Sequence, residues 1–304
     1  MNFCMTGATS FSGYWFVRQL ILDGHELTIV RSRDANFEST ENPWLKKLKE
    51  ESLSFREISF AQEITTKLNF DALLLHGSFM ENRRSPNFNV NLSVQKTLEV
   101  TKWIKENSKT NYVIHTGTFS EEDEGVGESP LNNFNPYSKS KTLIYREHQE
   151  IFQGVPFLKF TMPNPFGKFQ QNNLFSFLEK AWTKNDIPLI SQPNYIRDYV
   201  PVDLLAISYS SIIGSFIAGK YPLNYFSPSY FVMSNRDMSK LYASEISSRI
   251  GQNLEIQFGE QNDYAESRVR INKDSLLQLI DNWSLEEFWD SIAADYVGGN
   301  DATN

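Results

Sequence analysis

The chain has 304 residues, 40% of them hydrophobic and 14% aromatic, enough for one large α/β domain or two smaller ones with a proper core. A formal net charge of −8 argues against non-specific nucleic-acid binding, which needs a basic surface, so any anionic ligand must meet local cations. The single cysteine, Cys4, excludes an intramolecular disulfide and a cysteine-built zinc site. With no signal-peptide pattern and no run of about 18 apolar residues, a cytoplasmic protein away from membranes is expected.

Asn2 to Met5 reads as a short buried strand. It leads through Thr6-Gly7-Ala8-Thr9-Ser10-Phe11-Ser12-Gly13 into a helical pattern from Gly13 to Leu22. At such a junction, backbone amides and a helix N-terminus can hold a pyrophosphate. Gly7 permits the tight turn and Gly13 the close packing of helix on strand, while the middle position, usually glycine, is Ser10. The turn, with Thr9 and Phe11 inside it, is expected to bind a dinucleotide.

Glu26 to Val30 is the second strand, and Arg31-Ser32-Arg33 stand at its end. A carboxylate roughly 20 residues past the glycine fingerprint would bind the ribose 2′-hydroxyl of NAD. Two guanidiniums and a hydroxyl suit a 2′-phosphate instead, so NADP(H) is favoured over NAD(H). The competing reading is a solvated strand edge with Asp34 as the arginines' partner.

Ala72 to His76, Tyr112 to His115 and Phe157 to Phe160 continue the strands, with a helical pattern over Asn91 to Lys105. The alternation predicts an α/β fold: a Rossmann-type, doubly wound parallel sheet. His76 and His115 sit in apolar strands and read as packed, hydrogen-bonded histidines. Glu121 to Glu124 is a run of four acids, read as a solvated loop because mutual repulsion makes burying them together costly. Asn135-Pro136 has the character of a helix start, with Pro136 just ahead of a run that reads as helical through Glu150 and puts Tyr137 and Lys141 on one face, one turn apart. Tyrosine, with an unperturbed pKa of about 10, is a poor acid or base at neutral pH, and an ammonium beside it favours the phenolate. The pair therefore reads as the acid/base of a dinucleotide-dependent oxidoreductase.

After Met162 the pattern breaks at Pro163, Pro165 and Gly167, and Phe166 to Trp182 is aromatic-rich, as in a ligand cover. Phe166, Phe169, Phe175 and Phe177 could stack a nucleobase, although such spacings more often build core. A helix over Val200 to Ile213, strands at Tyr230 to Met233 and Leu254 to Phe258, and helices over Met238 to Ile250 and Leu285 to Tyr296 follow. Ser284 with Glu287 suggests a capping box for the last helix, and the tail from Gly298 is expected to fray. The expected division is a Rossmann domain of residues 1–163 plus about 199–225, and a smaller, discontinuous α+β C-terminal substrate lobe of about 164–198 plus 226–304. No metal site is expected.

TGATSFSG at 6–13, Asn91 opening its helix, VIHTGT ending at Thr118, YSKSK at 137–141, NPFG at 164–167 and RDYVPVDL at 197–204 together resemble the extended short-chain dehydrogenases/reductases. This is the NAD-dependent epimerase/dehydratase family, with its nucleotide-sugar epimerases, dehydratases and reductases. The resemblance spans nearly the whole chain. It implies that Thr118 hydrogen-bonds the reacting oxygen, Tyr137 is the acid/base, Lys141 holds the nicotinamide ribose, and His76-Gly77-Ser78 runs past the cofactor. Register favours Thr118 over Thr116 and Ser120, whose hydroxyls are read as satisfying their own backbone. Asn164 and Arg197 fall where the family contacts a nucleotide-diphosphate sugar, and Arg268 or Arg270 lies near where another diphosphate-binding arginine is expected; Arg197 pairing with Asp198 is the bland alternative. Dehydratases of the family carry an Asp-Glu pair directly after the catalytic threonine, and Phe119-Ser120 here argue against that chemistry. The implied activity is NADP-dependent reduction of a nucleotide-linked 4-keto(-6-deoxy) sugar. The alternatives are a 4-epimerase with retained NAD and a catalytically idle NADPH-binding regulator. A homodimer is also implied.

Overall fold

A computed structural model describes residues 1–31, 42–80, 85, 87–278 and 283–301. Ser32, Arg33 and Asp34 lie outside the described residues. From the N-terminus run β1 (Asn2–Thr6), α1 (Phe11–Leu22), β2 (Glu26–Arg31), α2 (Pro43–Glu50), β3 (Arg56–Ser59), β4 (Leu68–Leu75), α3 (Val90–Asn107) and β5 (Ser108–Thr118). There follow β6 (Val126–Gly127), α4 (Pro136–Ile151), β7 (Phe157–Met162), β8 (Asn164–Phe166), α5 (Leu174–Thr183), β9 (Leu189–Ile190), β10 (Ile196–Pro201) and α6 (Val202–Ile217). The remainder holds β11 (Tyr225–Phe226), β12 (Pro228–Ser229), β13 (Phe231–Ser234), α7 (Asn235–Ile250), β14 (Gln257–Phe258), β15 (Arg270–Ile271), β16 (Asp274–Ser275) and α8 (Leu285–Asp301).

The chain forms two compact units, Met1–Glu124 with Pro130–Met162 and Ala206–Ser227, and Gly125–Ser129 with Pro163–Leu205 and Pro228 onward. The first is built on a seven-stranded sheet of order β11-β7-β5-β4-β1-β2-β3. Every pairing in it is parallel. Its strands are apolar runs because helices cover both faces. On one face Cys4, Val30, Leu73 and Val113 pack with Ile104 and Phe152. On the other, Phe16 of α1 stacks on Tyr209 of α6 at 4.1 Å, and Phe160 meets Tyr209 edge-on. This is the doubly wound Rossmann-type sheet that the alternating pattern predicts. Burial pushes the Cys4 thiol up to about 12, leaving it inert.

The second unit has a core of Phe166, Phe175, Leu178, Trp182, Tyr199, Tyr242, Phe288 and Trp289. The aromatic-rich stretch after Met162 therefore supplies core rather than a ligand cover: Phe166 and Phe175 are buried while Phe177 is exposed. Val200 and Pro201 are strand, not helix, because they pair in register with Pro165 and Phe166. Only Gln257–Phe258 of the expected 254–258 strand is ladder-bonded. Ser284 accepts from Glu287 N–H at 3.3 Å, as a cap should. The helix it opens continues to Asp301, past the expected fraying point. Among the described residues no helix is long and apolar enough to cross a membrane, and no group of three or more His, Cys, Asp or Glu is placed to hold a metal ion.

Candidate active site

At the end of β1 the chain turns through Gly7 at φ +80°, a conformation open to glycine. A Cβ on Gly7 would lie 2.4 Å from Gly77 N, and one on Gly77 would lie 2.7 Å from Gly7 N. The ends of the neighbouring strands β1 and β4 thus meet backbone to backbone, tied by Gly77 N–H donating to Thr6 Oγ1 at 3.1 Å. A Cβ on Gly13 would sit 2.1 Å from Gly7 O, so α1 lies tight against the turn. Ser10, in the place of the usual middle glycine, is the N-cap of α1. Its Oγ donates to Gly7 O at 2.9 Å and accepts from Gly13 N–H at 3.1 Å, holding the loop closed. Thr9 is exposed on the turn, and half-buried Phe11 faces Trp44. Beyond β4, His76 Nε2 is hydrogen-bonded to Ser12 Oγ at 3.0 Å. Shielding from water, then the Lys141 charge, pushes that imidazole down to about 3, so it is neutral. Half-buried Ser78 follows it.

At the end of β2, the Arg31 guanidinium meets Glu57 at 3.1 Å, and Glu57 also meets Lys49 at 3.2 Å. Glu57 stands on the neighbouring strand β3, and Asp34, the partner weighed for the arginines, lies outside the described residues.

The end of β5 carries Thr118, with Ser120 just beyond it, and the first two turns of α4 carry Tyr137 and Lys141. Pro136 occupies the first turn of α4, and Asn135 caps it by accepting from Ser138 N–H at 2.9 Å. One turn on from half-buried Tyr137, Lys141 is 4% exposed and donates from Nζ to Thr116 O at 2.8 Å. Burial pulls its pKa down to about 8, with Glu121 opposing and Lys159 reinforcing the fall. Thr118 Oγ1 lies 3.3 Å from Ser120 Oγ, to which Ser138 Oγ donates at 2.9 Å. Ser120 is therefore one link in a hydroxyl chain, and the expectation that it merely satisfies its own backbone is corrected. Either hydroxyl can be the donor in the Thr118–Ser120 contact, and when Ser120 donates, the Thr118 hydrogen is left for another acceptor. Phe88 stands edge-on to the Tyr137 ring at 6.2 Å.

The acidic run is not a wholly solvated loop. Glu121 is 1% exposed and Glu124 is 8% exposed, because Lys159 of β7 reaches both, at 2.7 Å and 2.5 Å. An opposite charge between the two carboxylates removes the repulsion on which the solvated reading rested. The available signal was Lys159 itself, a lysine inside the apolar run Phe157 to Phe160. His115 is packed and hydrogen-bonded, as expected of it, and its partner is His148 of α4: Nδ1 faces Nδ1 at 3.0 Å, and His148 Nε2 meets Thr101 Oγ1 at 3.0 Å. Thr101 donates onward to Thr97 O, so His148 carries its hydrogen on Nε2 and His115 on Nδ1.

In the second unit, Asn164 of β8 is in register with Tyr199. Arg197 is buried; its guanidinium donates to Ile196 O, Arg268 O and Glu266, the last at 2.7 Å, and lies over the Tyr195 ring. Its ion-pair partner is Glu266, not the adjacent Asp198. Asp198 instead accepts from the N–H groups of Tyr230 and Asn272. Arg268 is exposed, with its guanidinium 5.9 Å from the Tyr264 ring.

The profile of the NAD dependent epimerase/dehydratase family matches residues 3–208. No curated protein matches by sequence. Solved structures match over nearly the full length of both chains. The UDP-Glc/GlcNAc 4-epimerase of Campylobacter jejuni is similar with a TM-score of 0.68, 15% identity, and 98% and 99% of the two chains covered. The Bifidobacterium longum UDP-glucose 4-epimerase, solved with NAD+ and UDP, gives 0.67 at 13% identity over 99% of each chain. The dTDP-glucose 4,6-dehydratase of Bacillus anthracis, solved with NAD, gives 0.65 at 14% identity over 99% and 98%. At such identities the likeness speaks for the fold.

Proposed function

The chain belongs to the NAD-dependent epimerase/dehydratase family, and on that footing we propose that it reduces a nucleotide-linked 4-keto-6-deoxy sugar with NADP(H), using Thr118, Tyr137 and Lys141. It is an enzyme of the extended short-chain dehydrogenase/reductase type. The observation that carries the reading is Lys141, a buried cation one helical turn from Tyr137 and fixed to the strand that ends at Thr118. The residues fit a dinucleotide: Gly7, Gly13 and Gly77 keep the turn free of side chains at points where a Cβ would strike backbone, and the N-terminus of α1 opens onto that turn. When bound, the cofactor supplies a hydride for the carbonyl carbon.

In this reading the amides of the 7–13 turn hold the pyrophosphate, with Thr9 and Phe11 alongside, and Arg31, Ser32 and Arg33 take the 2′-phosphate. Lys141 bonds the nicotinamide ribose and favours ionisation of Tyr137, lowering the cost of its proton transfer at neutral pH. Tyr137 delivers its proton to the developing alkoxide, while Thr118 donates its hydroxyl hydrogen to the same oxygen. Asn164, Arg197 and Arg268 are the proposed contacts to the nucleotide-diphosphate sugar. Of the two arginines, exposed Arg268 has the guanidinium better disposed to accept a phosphate, because Arg197 is committed to Glu266. A cytoplasmic homodimer completes the proposal; sedimentation showing only monomer would count against the dimer.

The epimerase with retained NAD has one specific observation in its favour: Glu57 already occupies the Arg31 guanidinium and weakens its pull on a 2′-phosphate. Ser10, the ground for an idle regulator, is explained by its capping role. Fluorescence titration with NADPH and NADH, followed by absorbance of NADPH with a panel of nucleotide-linked 4-keto-6-deoxy sugars, separates the readings. Preferential NADPH binding with oxidation by a panel member, both reversed toward NADH by Arg31→Glu, is expected of the reductase. Tightly bound NAD without net consumption would replace it with the epimerase. Tyr137→Phe should abolish turnover and spare NADPH binding; undiminished turnover would overturn the assignment of Tyr137.

A further inference from the structure

Two charged groups grip the strand end on either side of Gly117. On one side Lys141 Nζ donates to Thr116 O at 2.8 Å. On the other, Glu121 Oε1 accepts from Thr118 N–H at 2.7 Å, while the N–H of Glu121 donates back to Thr118 O at 3.1 Å. The second carboxylate oxygen accepts from Lys159 Nζ at 2.7 Å. Gly117 makes this possible: a Cβ there would lie 2.5 Å from Lys159 Cε and 2.9 Å from Glu121 Oε1. The cluster thus balances two buried ammoniums, Lys141 and Lys159, against two carboxylates, Glu121 and Glu124. A buried charge without a counter-charge would be neutralised instead.

We propose that Glu121 is a positioning residue of this site, which clamps the Thr118 peptide and provides the negative charge against which Lys141 remains an ammonium. The inference deepens, and rests on, the roles given to Thr118 and Lys141 above. The other ionisable groups around Lys141 do not replace Glu121. From α4 come Tyr137, Tyr145 and His148; from β5, His115; from the end of β4, His76; from β7, Lys159; and from the loop, Glu124. The three histidines are held neutral, chiefly by desolvation, and Lys159 acts against the Lys141 charge. Glu124 is engaged by Lys159, Thr161 and Tyr225.

The test uses the full chain labelled with carbon-13 at lysine Cε, with Lys141 identified by the signal lost in Lys141→Met. Glu121→Gln keeps an acceptor for Thr118 N–H and removes the charge. It is expected to lower the Lys141 titration midpoint by about one pH unit, and an unmoved midpoint overturns the counter-ion role. Glu121→Asp keeps the charge but withdraws it by one methylene. It is expected to leave Lys141 near its original midpoint while the Thr118 amide exchanges with solvent faster than that of Phe119, which stays bonded to Met162 O. Unchanged exchange overturns the clamp, and this second variant keeps the proposal refutable if Glu121→Gln does not fold. Neither readout needs substrate. A shifted midpoint in a chain whose Tyr137→Phe form still turns over would sink the functional reading alone, and an unmoved midpoint with Tyr137 essential would sink this one alone.

Discussion

Replacing Lys159 by methionine keeps an unbranched side chain of similar reach and removes one charge from a cluster in which the Lys159 side chain is 2% exposed and those of Glu121 and Glu124 are 1% and 11%. Two carboxylates then remain, desolvated and facing each other. Breaking a buried pair from one side costs about 3–5 kcal/mol. The contact of the ammonium with the Tyr145 ring, 3.8 Å from its centroid, adds about 1 kcal/mol to the loss. Against a total stability of about 5–15 kcal/mol this is a large fraction. At about 2–4 °C per kcal/mol for a domain of this size, the melt should fall by roughly 8–24 °C at pH 7.

The sign of the pH dependence follows from the same geometry. Without Lys159, burial raises both carboxyls above their unfolded value of about 4.3. A carboxyl raised in this way penalises the folded state fully above its folded pKa and not at all below the unfolded one, so the deficit should shrink as pH falls toward about 4. Thermal and urea unfolding, followed by circular dichroism from neutral to mildly acidic pH, would measure it. The triple variant Lys159→Met, Glu121→Gln, Glu124→Gln removes the two carboxylates and the ammonium between them, leaves Lys141 as the cluster's remaining ionisable group, and should recover part of the loss. A Lys159→Met melt equal to that of the unsubstituted chain, or a deficit independent of pH, would refute the account of why these acids are buried.

Gly77→Ala would bring a Cβ within 2.7 Å of Gly7 N and 2.8 Å of Gly7 Cα. Backbone cannot rotate aside, so the overlap should cost about 1–3 kcal/mol and weaken NADPH binding about tenfold; an unaltered titration would show that the turn tolerates displacement. Ser10→Ala removes the cap of α1 and should cost about 1 kcal/mol, whereas Ser10→Gly should cost only a few tenths; equal melts for all three chains would deny the capping role. Burial raises Asp198 to about 6, so its ionisation destabilises the fold as pH rises from about 4 to 6, by about 3 kcal/mol. Asp198→Asn should lack that slope and gain relative to the unsubstituted chain across this window; parallel pH profiles in urea unfolding would contradict it.

What could be read along the chain is what short-range physics controls. The parallel sheet was legible because strands buried on both faces must be apolar runs, and α4 because Pro136, Asn135 and the spacing of Tyr137 and Lys141 all act within one or two turns. Element ends were less legible. Val200 looked helical by composition and became strand because Pro165, remote in sequence, pairs with it. Ser10 looked like a weakened phosphate motif until its hydroxyl was found closing the loop between Gly7 and Gly13.

The sequence by itself determined the alternating strands and helices, the glycine turn and the spacing that brings a lysine to a tyrosine, since each depends on residues within a few positions of one another. Only the tertiary structure decided which charges are buried and with whom. Lys159 meets Glu121 across 38 residues, Arg197 meets Glu266 across 69, and Thr6 meets Gly77 across 71. Whether a carboxylate is a solvated loop residue or a clamp on a strand end depends on the counter-charge and the loss of water around it. Both are supplied by segments far away in the chain, and no local pattern encodes them.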